Sequence, residues 1–143
     1  MRFWDASAVV PLLVEEATTS TMVRGLENDE AMVVWWGTEV ECVSAIARRR
    51  RGNALTQDLE RDAIDRLRHL SRSWKEIDPA PPVRETAIRL LQTHDLRAAD
   101  ALQLAAAFAA AESRPSTLAF VSLDARLNEA AVREGFRLAE TAL

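Results

Sequence analysis

Two acidic residues of this sequence follow short apolar segments that are typical of buried strands. Asp5 comes directly after Phe3 and Trp4, and Asp124 comes directly after the apolar run at 118–123. Loops at the carboxyl ends of parallel strands form the ligand crevice of open sheets, so acids at two strand ends can share one site. Each acid can also cap the helix that follows, because acidic side chains are favoured there. Both interpretations remain open from the sequence.

Two further acids, Asp100 and Glu41, lie in segments that otherwise look buried. Asp100 begins a run of Ala and Leu that is apolar on nearly every face. A carboxylate in such a helix is costly unless Arg97, the helix N-terminus or a bound cation neutralises it. Glu41 is followed by small and apolar residues, although its spacing from Thr38 also fits a capping box.

The four acids together form a set of oxygen ligands. Like charges gathered in one place repel each other unless a divalent cation lies among them, and carboxylates suit Mg²⁺ or Mn²⁺. We therefore predict metal-site chemistry at these four positions: Asp5, Glu41, Asp100 and Asp124.

The segments that must position these acids alternate between strands and helices. Strands are predicted at 3–4, 31–36, 74–77 and 117–123, and helices at 8–15, 18–28, 38–51, 56–70, 82–93, 98–112 and 125–134. Ser7 is expected to cap the first helix, and Pro11 is expected to be tolerated only in its first turn. The alternation predicts an α/β fold with three layers, in which helices cover both faces of a mainly parallel central sheet.

Length and composition restrict the class of protein. The chain has 143 residues, of which 48% are hydrophobic and 28% charged, and this predicts one folded domain. Its single cysteine, Cys42, excludes an internal disulfide and favours a cytoplasmic protein. No apolar run reaches the roughly 18 to 20 residues of a membrane span, and no signal peptide is expected. The net charge of -4 argues against broad binding of nucleic acid.

Four sequence blocks carry a resemblance to a known family. The sequence resembles PIN-domain ribonucleases, in particular the VapC-type toxins of toxin–antitoxin pairs. The blocks occur in family order over nearly the full length, at 4–9, 41–48, 96–105 and 120–127, the last leading to 134–136. The resemblance implies a single PIN-like domain spanning 1–143.

The resemblance also implies a function and a set of site residues. It implies an endoribonuclease that hydrolyses RNA phosphodiester bonds with Mg²⁺ or Mn²⁺, acts as the toxin of a type II toxin–antitoxin system, and forms a homodimer. A cognate antitoxin protein would inhibit it by covering the acidic site. The catalytic and metal-binding positions fall on the four acids singled out above, with Ser7 and Ser122 as supporting hydroxyls. Gln103 replaces a frequent His and Asp95 a frequent Gly, and neither is expected to touch the acids.

Two other functions compete with this prediction. A catalytically inactive module that binds metal or RNA, and acts through a protein partner, is the main alternative. A phosphatase with Asp5 as nucleophile is disfavoured, because Ser7 stands where a second acid is needed and Lys75, the only lysine, is far from any strand end.

The remaining reactive or aromatic side chains are predicted to be structural. Cys42 is expected in the core, and neither His69 nor His94 has a recognisable partner in the sequence. At least one of Trp35 and Trp36 is expected in the core, and stacking of the other on a base is the less favoured use.

Arginines form one basic segment that needs its own interpretation. Arg48–Arg51 are consecutive, and Arg66, Arg68 and Arg72 follow on the next predicted helix. Such a cluster is either a solvated helix face or a surface that contacts RNA phosphates.

Overall fold

The computed structural model describes residues 1–139 and gives them five strands and seven α-helices. Residues 140–143, which the single-domain prediction includes, lie outside the described residues. None of the helices in the described part is long and apolar enough to cross a membrane. In chain order the elements are β1 (Arg2–Trp4), α1 (Ala6–Leu13), α2 (Thr19–Glu27), β2 (Met32–Trp35), α3 (Thr38–Arg51), α4 (Gln57–Ser71), β3 (Lys75–Ile77), α5 (Pro81–Thr93), α6 (Ala98–Ala110), β4 (Ala119–Val121), α7 (Ala125–Arg133) and β5 (Arg137–Leu138), with a short 3-10 helix at Pro115–Thr117.

All five strands of the described residues form one parallel sheet in the order β3-β2-β1-β4-β5. Within it Phe3 pairs with Phe120, and Trp4 pairs with Val121. The ends of β1 and β4 therefore lie side by side, although more than a hundred residues separate them in the chain. This register brings the loops after the two strands to the same edge of the sheet.

Helices cover both faces of the sheet, because neighbouring residues of each strand point to opposite sides. Phe3 and Phe120 belong to a core that includes buried residues of α5, α6 and α7. Trp4 and Val34 belong to a second core that includes buried residues of α1, α2, α3 and α4. The predicted three-layer α/β/α architecture is confirmed.

Two predicted helix caps were wrong in a way that bears on the acids. Asp5, and not Ser7, is the N-cap of α1, and its carboxylate accepts a bond from the Ser7 backbone N–H. Pro11 lies inside α1, beyond its first turn. Gly37 precedes α3 without a side-chain cap, so the capping box between Thr38 and Glu41 does not form. The Glu41 side chain is thereby left for other contacts.

Candidate active site

The fold brings the four acids together at the carboxyl edge of the sheet. Asp5 directly follows β1 and caps α1, Asp124 caps α7 after β4, and Glu41 lies in the first turn of α3, which follows β2. Asp100 lies in the first turn of α6. Electrostatic repulsion acts between Asp5 and Asp100, between Glu41 and both of them, and between Asp100 and Asp124. Side chains from four separate parts of the chain therefore share one acidic centre.

Asp5 is held by two serine hydroxyls. The Ser7 and Ser122 hydroxyls donate to Asp5 Oδ2 at 2.5 and 2.9 Å, and the Ser7 backbone N–H adds a third bond to the same oxygen. Each hydroxyl oxygen in turn accepts a backbone N–H, from Leu123 at 2.9 Å and from Asp124 at 3.1 Å. Three donors fix one oxygen of the carboxylate and leave Oδ1 without a hydrogen bond from the described residues.

Asp5, Glu41 and Asp100 have raised pKa values and are harder to ionise than ordinary surface carboxyls. Burial raises the pKa of Asp5 above its usual value, despite the hydrogen bonds from Ser7 and Ser122 that oppose the shift. Burial also raises the pKa of Glu41 to about 7, and repulsion from Asp5 and Asp100 adds to the increase. The pKa of Asp100 is raised first by burial and then by the nearby Asp124 carboxylate, against the attraction of Arg97. Burial and mutual repulsion therefore both disfavour the ionised forms of these three acids, and Arg97 does not outweigh them at Asp100.

Gln103 contacts the acidic centre, contrary to the expectation from the sequence. This side chain is fully buried in α6, and its Nε2 donates to Thr38 Oγ1 at 3.0 Å and to Glu41 Oε2 at 2.5 Å. Its Oε1 is buried without a hydrogen-bond partner among the described residues. Gln103 therefore joins α6 to α3 and orients Glu41, a role that no spacing in the sequence indicated.

The four carboxylates are of the ligand type that divalent cations prefer, but their side chains do not stand in a metal-binding geometry. Within residues 1–139, no group of three or more His, Cys, Asp or Glu side chains stands in a geometry that could hold a metal ion. However, Asp5, Glu41 and Asp124 each accept hydrogen bonds at only one of their two carboxylate oxygens. The other oxygen of each has no donor among the described residues. Hard oxygen ligands with excess negative charge are what Mg²⁺ and Mn²⁺ require.

A cleft of about 630 Å³ opens beside the acids. Its walls come from α1, α3, the first turn of α6 and the segment after β4. The residues lining it are Ala6, Ser7, Val10, Glu16, Val40, Glu41, Ser44, Ala45, Arg48, Arg49, Ala99 and Leu123. The cleft is large enough for part of an extended ligand, and Glu41 and Ser7 place it next to the acidic centre.

The structure also locates the remaining candidates. Cys42 is fully buried, and burial raises the pKa of its thiol to about 12, so it is a core residue. Trp35 is buried whereas Trp36 is exposed, as the sequence predicted for at least one of them. His94 has a partner that the sequence did not reveal, because its Nε2 lies 2.6 Å from Glu134 Oε2.

A comparison with family models gives one assignment. The model described as the PIN domain matches residues 2–133 of this chain. A search of the curated proteins found no relative that matches the sequence.

Two solved structures share the fold of this chain. One is a toxin–antitoxin complex from Klebsiella pneumoniae, with 15% identity, a TM-score of 0.62 and coverage of 87% of each chain. The other is FitAcB from Neisseria gonorrhoeae, with 16% identity, a TM-score of 0.66 and coverage of 99% of this chain and 98% of that one. At these identities, the likeness concerns the fold.

Proposed function

The chain belongs to the PIN domain family, as its sequence blocks predict, and on that premise we propose that it is a metal-dependent endoribonuclease and the toxin of a type II toxin–antitoxin pair. The observation that carries the proposal is the convergence of four carboxylates at one sheet edge, beside a cleft of about 630 Å³. Such a centre has the oxygen donors for a divalent ion, and an ion held there would supply an activated water as the nucleophile.

The four acids would bind the metal ion in the proposed reaction, and the two serine hydroxyls would orient one of them. Asp5, Glu41, Asp100 and Asp124 would hold Mg²⁺ or Mn²⁺. When bound, the ion supplies an activated water and offsets the charge that develops on the leaving oxygen. The Ser7 and Ser122 hydroxyls orient Asp5 through Oδ2, which keeps Oδ1 available as a ligand. Since Cys42 is buried with a raised pKa, the thiol takes no part.

The test is cleavage of RNA by the purified chain. With Mg²⁺ or Mn²⁺ it should cleave a single-stranded RNA, and Asp5→Ala or Asp100→Asn should abolish cleavage while circular dichroism shows an intact fold. Asp62→Asn is the matched control, because Asp62 is an exposed acid on α4 and should leave the rate unchanged. Equal activity in EDTA would contradict the metal mechanism.

The same assay decides between the enzyme and the main alternative. A catalytically inactive module would bind metal or RNA without cleaving any strand of total RNA. Mapping of the cut ends in total RNA would identify the substrate if cleavage occurs.

The proposed partner is a cognate antitoxin. Support comes from the fold shared with the Klebsiella pneumoniae structure, which is described as a toxin–antitoxin complex. An acidic cleft is also a suitable receptor for a basic side chain of a partner segment. Co-expression with the product of the neighbouring gene should yield a stable complex that no longer cleaves RNA.

We also propose that the chain forms a homodimer. This follows from the family resemblance, and Trp36, which is 54% exposed and does not line the cleft, is an apolar residue available for a subunit contact. Light scattering coupled to size-exclusion chromatography of the purified chain measures the mass, and a monomer at all concentrations would contradict the proposal.

A further inference from the structure

One face of α3 forms a continuous wall of the cleft. Glu41, Ser44, Ala45 and Arg48 all line it, and their spacing of three, four and seven residues places them on the same side of the helix. Seven residues of helix span about 10 Å. The wall therefore has an acid of the proposed reaction centre near one end and the Arg48 guanidinium near the other.

The neighbouring arginines differ in what they contact. Arg49 is occupied, because it donates to Glu16 Oε1 at 2.9 and 2.6 Å and to the Ala45 carbonyl at 3.1 Å. Arg50 is occupied by Glu60 at 2.8 Å. Both contacts tie α3 to neighbouring segments, so these two side chains are structural.

Arg48 is different, because it is exposed in the cleft and has no ion pair or side-chain hydrogen bond with any residue of 1–139. Arg51 also lacks such a partner among these residues, and it does not line the cleft. Glu16, the other acid of the cleft besides Glu41, is already paired with Arg49. The positive charge of Arg48 is therefore uncompensated at the α3 wall.

We infer that Arg48 binds an RNA phosphate adjacent to the one that is cleaved, and so sets the path of the strand along α3. The inference rests on the proposed ribonuclease function. A guanidinium matches the geometry of a phosphate, and a contact to the backbone positions a strand without reading its sequence. The backbone positions of Glu41 and Arg48 are separated by a helix rise of about 10 Å, so the contact lies beyond the reaction centre along α3. Of the four consecutive residues Arg48–Arg51, only Arg48 contacts the RNA under this inference.

The test compares Arg48→Ala with Arg51→Ala, a matched control that removes an exposed arginine from the same helix. Binding is measured in an Asp100→Asn background, which prevents the proposed cleavage, by fluorescence anisotropy of a labelled pool of short random-sequence single-stranded RNA. Arg48→Ala should weaken binding about ten-fold and reduce the slope of log affinity against log salt by about 0.7, the value for one phosphate contact on a single strand. Arg51→Ala should change neither quantity.

The cleavage assay separates the failure of this inference from the failure of the proposed function. With Mn²⁺ and an otherwise unchanged chain, Arg48→Ala should raise the KM for RNA and leave kcat nearly unchanged, because the contact is remote from the reacting phosphate. If the chain cleaves RNA but Arg48→Ala and Arg51→Ala behave alike, the phosphate contact is wrong and the nuclease stands. If the unsubstituted chain neither binds nor cleaves RNA, both proposals fall.

Discussion

Ser122 Oγ donates a 2.9 Å hydrogen bond to Asp5 Oδ2, although the two residues are 117 positions apart in the chain. The bond exists because β1 and β4 are parallel neighbours, with Trp4 opposite Val121. The residue after Trp4 and the residue after Val121 must then lie side by side. The register of the sheet, and not a local turn, therefore positions the first acid of the site.

Replacement of this hydroxyl should destabilise the fold and disturb the acid. Ser122→Ala removes a donor to Asp5 and the acceptor of the Asp124 N–H. We expect the free energy of unfolding to fall by about 1.5 to 3 kcal/mol, the usual loss for a bond to a charged group, and RNA cleavage to slow. Urea denaturation measures the stability. In the control Ser73→Ala, an exposed hydroxyl is removed, and the change should stay within about 0.5 kcal/mol. Equal stability of the two variants would contradict the role given to Ser122.

The sequence singled out four acids that the fold places at one edge of the sheet, but it did not reveal the contacts that orient them. Asp5 and Asp124 could be recognised because each follows an apolar strand, and that pattern is local. The bond between Gln103 and Glu41 joins residues 62 positions apart and depends on how α6 packs beside α3. No periodicity within either helix encodes that packing, so the contact required the tertiary structure.

The repulsion between acids makes a prediction about stability and metal. Asp100 is partly buried near Asp124, and this raises its pKa. Asp100→Asn removes a charge from the cluster, so in EDTA the free energy of unfolding should rise by about 1 kcal/mol, a common size for one stabilising substitution. Saturating Mn²⁺ should then stabilise the unsubstituted chain by about 2.7 kcal/mol at one hundred times its Kd, and should barely affect the variant.

The control for charge alone is Asp62→Asn, which neutralises an exposed acid on α4. Its melting temperature should match that of the unsubstituted chain in EDTA and rise equally with Mn²⁺. If Asp100→Asn is destabilised in EDTA, or gains as much from Mn²⁺ as the unsubstituted chain, Asp100 is not part of a metal-binding cluster.

The buried amide of Gln103 is the next testable contact. Gln103→Leu keeps the size of the side chain but leaves Thr38 Oγ1 and Glu41 Oε2 without their donor. We expect the free energy of unfolding to fall by about 1 to 3 kcal/mol, the usual result of leaving a buried polar group unpaired. Gln92→Leu, an exposed substitution on α5, should be close to neutral in the same urea titration. A neutral Gln103→Leu would show that the amide does not stabilise the link between α6 and α3.

The sequence predicted the alternation of strands and helices better than their ends. The predicted ranges 38–51 and 98–112 agree with α3 and nearly with α6, whereas β5, with only the exposed residues Arg137 and Leu138, was not predicted. A strand that short carries no alternating pattern and forms because β4 offers an open edge. The residue after the C-cap of α7 is Gly135, whose φ of +101° lies in the region that favours glycine.

A last prediction concerns pH and the contact between the ends of α5 and α7. Glu134 accepts bonds from Arg89 at 2.9 Å and pairs with His94 at 2.6 Å. Burial raises the pKa of Glu134, but these two partners outweigh burial and bring the pKa below its usual value of 4.5. Because the pKa is lower in the folded than in the unfolded chain, the ionised carboxylate stabilises the fold above about pH 4.5, and this stabilisation is lost as the pH falls. Glu134→Gln should therefore lower the free energy of unfolding by about 1 kcal/mol near pH 7, and the difference should shrink below about pH 4.

Urea titrations over this pH range should be compared with Glu129→Gln, whose ion pair with Arg133 is exposed. Because an exposed pair contributes at most about 0.5 kcal/mol, that control should show a small deficit with little pH dependence. The loss of unfolding free energy in Glu134→Gln could be the same at low and neutral pH. In that case the Glu134 side chain contributes through packing, and the charge of its carboxylate beside Arg89 and His94 does not stabilise the fold.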